Sequence, residues 1–119
     1  MTKFVLPLKL GSLANARLHW AARAKIAANQ RMSAGIAVAT SKDWRAPSGR
    51  IVISLTRVGR RMLDDDNLQA AFKHVRDGVA DALGIDDGDK RLTWVYSQRT
   101  GKEYAVEIEI GAEHGRKEG

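Results

Sequence analysis

Two short segments of the sequence concentrate carboxylates. Asp64, Asp65 and Asp66 follow one another directly, and Asp86 and Asp87 form a pair further along the chain. Two like charges a few ångströms apart repel by about 1 kcal/mol even in water, so such clusters usually need a compensating partner. In an extended chain alternate side chains point the same way, which places Asp64 and Asp66 on one side. If an intervening helix returns the chain to a neighbouring strand, the segments meet and form an oxygen-only site suited to Mg²⁺.

The same residues also fit purely structural roles. Asp66 is a good helix N-cap, and Gln69 three residues later completes a pattern typical of a capping box. Asp86, Asp87 and Gly88 are typical of a turn. From spacing alone, a metal site and a set of caps and turns are equally consistent with the sequence.

A lysine lies near the carboxylates along the chain. Lys73 and Asp77 are four residues apart on the polar face of a predicted helix. This spacing is typical of an ordinary surface ion pair, worth roughly 0.2–0.5 kcal/mol. The functional alternative is that the ammonium group of Lys73 neutralises a phosphate or its transition state. Spacing alone favours the ion pair.

The charge balance favours a polyanionic partner. The chain has 20 Lys and Arg residues against 14 Asp and Glu, a net charge of +6, and a pI of about 10. Such an excess raises the local concentration of nucleic acid. On the first predicted helix Arg17, Arg23 and Arg31 fall within an arc of roughly 120°, which predicts a basic face. Trp20 at the start of that helix either packs on the core or stacks on an exposed base.

Length and composition bound the remaining possibilities. With 119 residues the chain predicts one domain. The absence of cysteine excludes disulfides and thiolate metal sites, and His19, His74 and His114 show no metal-ligand spacing. No apolar run approaches the roughly 20 residues that cross a bilayer, and no signal-peptide pattern begins the chain. We therefore expect a cytoplasmic protein without membrane contact.

The order of elements predicts an α+β domain, β-α-β-α-β-β, with a mixed sheet of about four strands and two helices. The predicted strands are 3–10, 50–58, 92–98 and 104–110, and the predicted helices are about 13–41 and 66–84. The domain is expected to occupy residues 1–111, followed by a flexible polar tail at 112–119. On the first helix, the predicted core face consists of apolar residues at 100° spacing: Leu18, Ala22, Ile26, Met32 and Ile36. The second helix is predicted to stop at Gly84, and its apolar stripe consists of Leu68, Phe72, Val75, Val79 and Leu83. The predicted inward row of the fourth strand consists of Tyr104, Val106, Ile108 and Ile110.

Three motifs in this order resemble those of the RusA-type Holliday-junction resolvases of phages and prophages. That family carries an Asp-x-Asp-Asn-Leu run, a helix with Lys-x-x-x-Asp, and an Asp-Asp pair after the helix. Here these are the acidic segment (residues 64–66) with the following Asn67-Leu68, then Lys73 with Asp77, then the pair at 86–87. The resemblance covers about residues 50 to 110.

The resemblance implies a homodimeric, Mg²⁺-dependent endonuclease that cuts four-way DNA junctions by paired phosphodiester hydrolysis. By residue match, Asp64, Asp66 and Asp87 are the metal-binding catalytic carboxylates and Lys73 is the catalytic lysine. In the family the lysine lies closer to the Asn-Leu pair, where this chain has Ala70. A three-residue insertion at the helix start accounts for the shift.

Two further expectations accompany this interpretation. The DNA-binding residues are expected to be the arginines of the first helix and those before the acidic segment. The alternative function is a catalytically inactive phage DNA-binding protein on the same fold. The arginines expected at the DNA are Arg17, Arg23, Arg31, Arg60 and Arg61.

Overall fold

A computed structural model describes residues 2–11, 19–40 and 49–112, and these form four strands and three helices. The predicted α+β class is confirmed, and the element order agrees except that the second predicted helix is divided in two. In chain order the elements are β1 (Thr2–Leu6), α1 (Trp20–Ala39), β2 (Ile51–Gly59), α2 (Asp65–Ala71), α3 (Lys73–Leu83), β3 (Leu92–Thr100) and β4 (Ala105–Ala112).

The strands lie side by side in the order β1-β4-β2-β3. β2 and β3 run parallel, which requires a crossover connection, and α2 and α3 provide it. β4 runs antiparallel to both β2 and β1, so the sheet is mixed, as predicted. Gly59, the last residue of β2, pairs with Thr100, the last residue of β3. The acidic segment therefore follows the carboxyl end of this strand pair, whereas the loop that contains Asp87 precedes its amino end.

The core lies between the sheet and the helices. On β4 the predicted inward row is confirmed for three of its four residues, because Val106 and Ile108 are fully buried and Ile110 is 1% exposed. The fourth, Tyr104, precedes the strand and is partly exposed. Alternation of this kind is what a sheet covered on one face requires. The apolar stripe predicted for the second helix is buried as well; its residues are Leu68, Phe72, Val75, Val79 and Leu83.

The second predicted helix is interrupted at Phe72. The Phe72 N–H donates to the Gln69 carbonyl at 3.2 Å, which closes α2, and the Arg76 N–H donates to the Phe72 carbonyl at 2.8 Å as α3 begins. The Phe72 ring is fully buried, 5.9 Å from the ring of Tyr96, and anchors this junction in the core. α3 ends at Gly84 with φ 69°, so the predicted glycine stop is confirmed.

The core face predicted for α1 is wrong. Ile26, Met32 and Ile36 are 36%, 61% and 55% exposed, Ala22 is exposed as well, and Leu18 lies outside the described residues. In an alanine-rich helix the faces differ little in hydrophobicity, so close packing rather than apolar bulk decides which face is buried. The buried residues of α1 are instead Gln30, Ala34 and Val38.

Close backbone packing of α1 on α3 explains this choice of face. A Cβ atom at Gly78 would lie 2.1 Å from the carbonyl oxygen of Arg31, a distance that no side chain tolerates. A Cβ atom at Gly35 would lie 3.2 Å from the Gly78 carbonyl oxygen. The two glycines therefore let the helices approach more closely than any other residues would allow.

The end of the described chain differs slightly from the prediction. β4 continues to Ala112, the first residue of the predicted tail, which pairs with Ile51. Residues 113–119 lie outside the described part. Among the described helices, none is both long enough and apolar enough to cross a bilayer.

Candidate functional site

Two strand side chains hold the backbone that leads into the acidic segment. Gln98 of β3 accepts a hydrogen bond from the Leu63 N–H at 2.9 Å and donates one to the Leu63 carbonyl at 2.7 Å. Arg57 of β2, only 5% exposed, donates to the carbonyls of Leu10 and Arg61, both at 2.7 Å. The bonds to Arg61 and Leu63 satisfy backbone groups that have no strand partner once β2 has ended, and the bond to Leu10 does the same for the chain after β1. The chain directly before the acidic segment is therefore anchored to the sheet.

The carboxylates of the acidic segment are exposed. α2 begins at Asp65, with Asp64 as the N-cap residue, and the Asp64 side chain makes no capping hydrogen bond. The alternative in which Asp66 caps the helix is therefore wrong, since Asp66 lies within the first turn. Across the described ranges, none of these three carboxylates forms an ion pair or a side-chain hydrogen bond. The segment is thus ordered by its backbone, while its charges remain available to a ligand.

Asp87 is held by Arg76 of α3. The Arg76 Nε atom lies 3.1 Å from Asp87 Oδ2, and because its N–H is not aimed at an acceptor, this contact is electrostatic rather than a hydrogen bond. Arg76 also donates to the Asp87 carbonyl at 3.1 Å and to the Tyr96 hydroxyl at 2.6 Å. The Trp94 indole donates to the same carbonyl at 2.9 Å, and its ring centroid lies 4.8 Å from the Arg76 guanidinium. Asp87 is therefore tied to both α3 and β3.

The three predicted metal ligands do not come together in this structure. Within the described residues, no three Asp, Glu or His side chains form a group that could hold one ion. The backbone before Asp64 contacts β3 at Gln98 and Asp87 contacts β3 at Trp94, positions separated by about 13 Å along a strand.

The extended chain that was expected to place Asp64 and Asp66 on one side is not formed, because α2 begins at Asp65 and Asp66 lies in its first turn. As donor types, their carboxylates suit a hydrated Mg²⁺ that one or two carboxylates hold with water and phosphate. The three carboxylates of Asp64, Asp66 and Asp87 cannot hold one ion together in this arrangement, because Asp87 contacts Arg76 instead. The metal role of these residues therefore stays a prediction.

Lys73 is the first residue of α3, and its side chain is exposed. The ordinary ion pair with Asp77 is not formed anywhere in the described part of the chain. Asp77 instead lines a cleft of about 170 Å³ with residues that include Arg31 and Asp81. Its charge adds to the larger effect of Asp81 in raising the pKa of Arg31. Among the residues that the structure describes, the ammonium group of Lys73 has no acidic partner, and its catalytic role stays a prediction.

The predicted basic face of α1 is only partly available. Arg31 donates from Nε and Nη2 to the Asp81 carboxylate at 2.6 and 2.9 Å. These hydrogen bonds lower the pKa of Asp81 and raise the pKa of Arg31, so the two charges compensate each other. Arg23 is exposed, and Arg17 lies outside the described residues. Of the three predicted arginines, Arg23 is the one that the described structure leaves open to a polyanion.

A second group of cations lies at the carboxyl end of β2 and β3. Arg60 and Arg61 are exposed, and Arg60 lines a cavity of about 450 Å³ with Thr100, Gly101 and Lys102. These residues directly precede the acidic segment in the chain. Arginine beside carboxylates can hold a phosphate next to a cation-binding site.

Sequence reasoning missed the residues that position the acidic groups. Gln98 continues the inward row of β3, and Arg57 continues the buried row of β2. Each is a polar side chain at an inward position of a strand with period two, and a buried polar group needs specific partners. That departure from the apolar pattern is the signal that could have identified them. Arg76 gave no comparable signal, because arginine on the polar side of a helix is ordinary.

These features define a single-domain α+β protein with an anchored acidic segment and neighbouring arginines. No family model matches the chain, and no solved structure matches it. The chain is similar to an uncharacterized protein of Xylella fastidiosa (strain Temecula1), with 44% identity in an alignment of 79 residues that covers 61% of this chain and 51% of that protein. The chain therefore spans about half the length of the curated relative that it matches.

Proposed function

We propose that this protein is a magnesium-dependent endodeoxyribonuclease of the cytoplasm that resolves four-way DNA junctions as a homodimer. One observation carries the proposal: the acidic segment is anchored by Gln98 and Arg57, yet the carboxylates of Asp64 and Asp66 have no partner within the described ranges. Rigid backbone with unsatisfied charge is the arrangement expected of a preorganised ligand site rather than of a structural cap.

The chemistry assigned to each residue follows from its position. Asp64 and Asp66 would hold the Mg²⁺, which when bound supplies charge neutralisation at the phosphate and a water of lowered pKa. The exposed guanidinium groups of Arg60 and Arg61 would bind the flanking phosphates of the same strand. Lys73 would stabilise negative charge that develops on the scissile phosphate. A homodimer with twofold symmetry matches a junction that must be cut twice in symmetric positions.

The direct test is a cleavage assay on a labelled four-way junction. The purified protein is incubated with the junction and with a linear duplex of the same sequence, in Mg²⁺ and in chelator. We expect paired cuts in the junction with Mg²⁺, little cutting of the duplex, and none in chelator. Binding of the junction without cleavage at any Mg²⁺ concentration would refute the nuclease proposal.

A second candidate is a DNA-binding protein on the same fold that does not cleave. The contact between Arg76 and Asp87 favours this second candidate, because the guanidinium group neutralises a carboxylate that the nuclease proposal assigns to metal. The same assay separates the two functions, because the second predicts a stable junction complex in Mg²⁺ with intact strands. A variant, Arg76→Ala, would free the Asp87 carboxylate from its arginine. If this variant cleaves junctions that the natural protein leaves intact, the contact between Arg76 and Asp87 is what prevents cleavage.

A further inference from the structure

A cavity of about 350 Å³ lies where α1 begins against the start of α3. It is lined by Trp20, Arg23, Ala24, Ala27 and His74, and we name it the Trp20 cavity. The indole of Trp20 is 70% exposed, the largest exposed fraction among the large apolar side chains described. An aromatic side chain left bare beside a cavity is typical of a ligand or partner contact.

The charges around the Trp20 cavity fit an anionic occupant. The described helix α1 contains no Asp or Glu, and Arg23 on its surface is exposed. On α3, Lys73 is also exposed and directly precedes His74 of the cavity lining. A polyanion would therefore be attracted to this end of the two helices.

The lining of the Trp20 cavity also fits a flat ring. Ala24 and Ala27 carry only a methyl group, so the floor of the cavity leaves the indole uncovered. His19 packs against one part of the indole, with ring centroids 5.5 Å apart and planes tilted by 36°. An aromatic face beside a guanidinium is the combination that binds an unstacked base together with its phosphate.

A second copy of this chain is the competing occupant, and the charges argue against it. Twofold contact through this cavity would bring Arg23 of both copies together. The described helix α1 offers no carboxylate to neutralise that pair, and Asp77 of α3, one turn after His74, lines the cleft with Arg31 and Asp81 instead. Nucleic acid instead supplies the missing negative charge.

We propose that the Trp20 cavity binds an unpaired base of single-stranded nucleic acid, which stacks on the indole while Arg23 contacts its phosphate. The inference rests on the proposed function only in taking nucleic acid as the partner. It adds a site for an unstacked nucleotide whose lining contains no residue of the acidic segment.

The test is a fluorescence titration with decathymidylate. The chain contains three tryptophans, so the signal of Trp20 is obtained as the difference between the natural protein and Trp20→Phe. We expect decathymidylate to quench this signal, and an equal concentration of inorganic polyphosphate to leave it nearly unchanged. Trp20→Ala should weaken binding of decathymidylate by about fivefold to a hundredfold, as loss of one base-aromatic stack does. Trp20→Phe should retain most of the affinity, because phenylalanine also stacks.

The control is Met32→Ala, which removes another exposed apolar side chain of α1 that lies outside the Trp20 cavity and should leave the affinity unchanged. Equal affinity of Trp20→Ala and the natural protein would overturn the inference. So would a change of self-association in Trp20→Ala, measured by sedimentation, with oligonucleotide binding intact, since a second copy would then be the occupant. If junctions stay uncut while Trp20→Ala still weakens decathymidylate binding, the nuclease proposal fails and this site stands.

Discussion

The side-chain amide of Gln98 forms both hydrogen bonds of the Leu63 peptide groups, accepting from the N–H and donating to the carbonyl. The Gln98 side chain thus makes the two backbone hydrogen bonds that a neighbouring strand would otherwise make with Leu63. We expect Gln98→Leu to leave two partly buried backbone groups unpaired and to lower the free energy of unfolding by about 1–3 kcal/mol. Urea denaturation measures this. Thr93→Ala, an exposed position of the same strand, should change it by less than about 0.5 kcal/mol.

The carboxylate of Asp66 is predicted to matter for cleavage and not for DNA binding. Asp66→Asn should abolish junction cleavage and leave binding intact or tighter, because it removes a metal ligand and also a repulsion of DNA phosphates. Gel-shift and cleavage assays on the same preparation measure both. Glu103→Gln, which neutralises an exposed carboxylate elsewhere, should cleave normally. Cleavage by Asp66→Asn at the natural rate would return this residue to a purely structural role.

Affinity for DNA should fall steeply as the salt concentration rises. A plot of the logarithm of the binding constant against the logarithm of the salt concentration should have a slope of about −0.9 for each phosphate that the protein contacts. We expect Arg23→Ala to flatten the slope by about one such contact. Arg31→Ala should flatten it less, because Asp81 already compensates Arg31. Binding isotherms at four salt concentrations give the slopes. A slope unchanged by Arg23→Ala would move the DNA surface to Arg60 and Arg61.

The role of Lys73 is tested by comparing it with Asp77. If the ammonium group stabilises charge on the phosphate, Lys73→Ala should slow single-turnover cleavage by on the order of a hundredfold. Its melting temperature should change little, because Lys73 has no acidic partner in the described chain. Lys73→Arg should restore little activity, since a planar guanidinium replaces a point charge. Near-normal cleavage by Lys73→Ala would exclude the assignment and direct attention to Arg60, Arg61 or Lys90.

The pH dependence of stability should involve Glu107 on the outer face of the sheet. Hydrogen bonds from Arg99, with a smaller contribution from Lys3, lower the pKa of Glu107 below its ordinary value of 4.5. A carboxyl group whose pKa is depressed by folding stabilises the fold above its unfolded pKa, and this stabilisation is lost as the pH falls through the folded pKa. Glu107→Gln should therefore reduce stability at neutral pH and flatten the loss of stability below about pH 4.5. Thermal melts from pH 7 to pH 3 measure the effect, and Glu109→Gln on the same strand serves as the control.

Three of the four strands were predictable because their signal is strong, whereas β1 ends at Leu6 and not at Leu10 as predicted. Apolar residues recur at period two in β4 and every three or four residues in α3, so burial of these rows follows the pattern. The glycine stop at Gly84 has an equally local cause, since glycine adopts the left-handed conformation readily. These features depend only on residues that are close together in the sequence, so the sequence alone is enough to predict them.

The face of α1 and the separation of the acidic groups depend instead on partners distant in sequence. Met32 and Ile36 formed a plausible core face, but the contact between Gly35 and Gly78 turned that face outward. The expectation that Asp87 would meet the acidic segment assumed that the loop after the helix returns to a neighbouring strand close to that segment. The parallel pairing of β2 with β3 sends that loop to the opposite end, where Arg76 binds it.

The close approach of backbone at Gly78 also links the two helices that carry Trp20 and Lys73. Because a Cβ atom there would lie 2.1 Å from the Arg31 carbonyl oxygen, a larger residue at this position would have to push α1 and α3 apart. Trp20 begins α1 and Lys73 begins α3, and both helices reach the Trp20 cavity near these ends. A larger residue at position 78 should therefore change the position of the Trp20 indole relative to Lys73, although neither of these residues is itself altered.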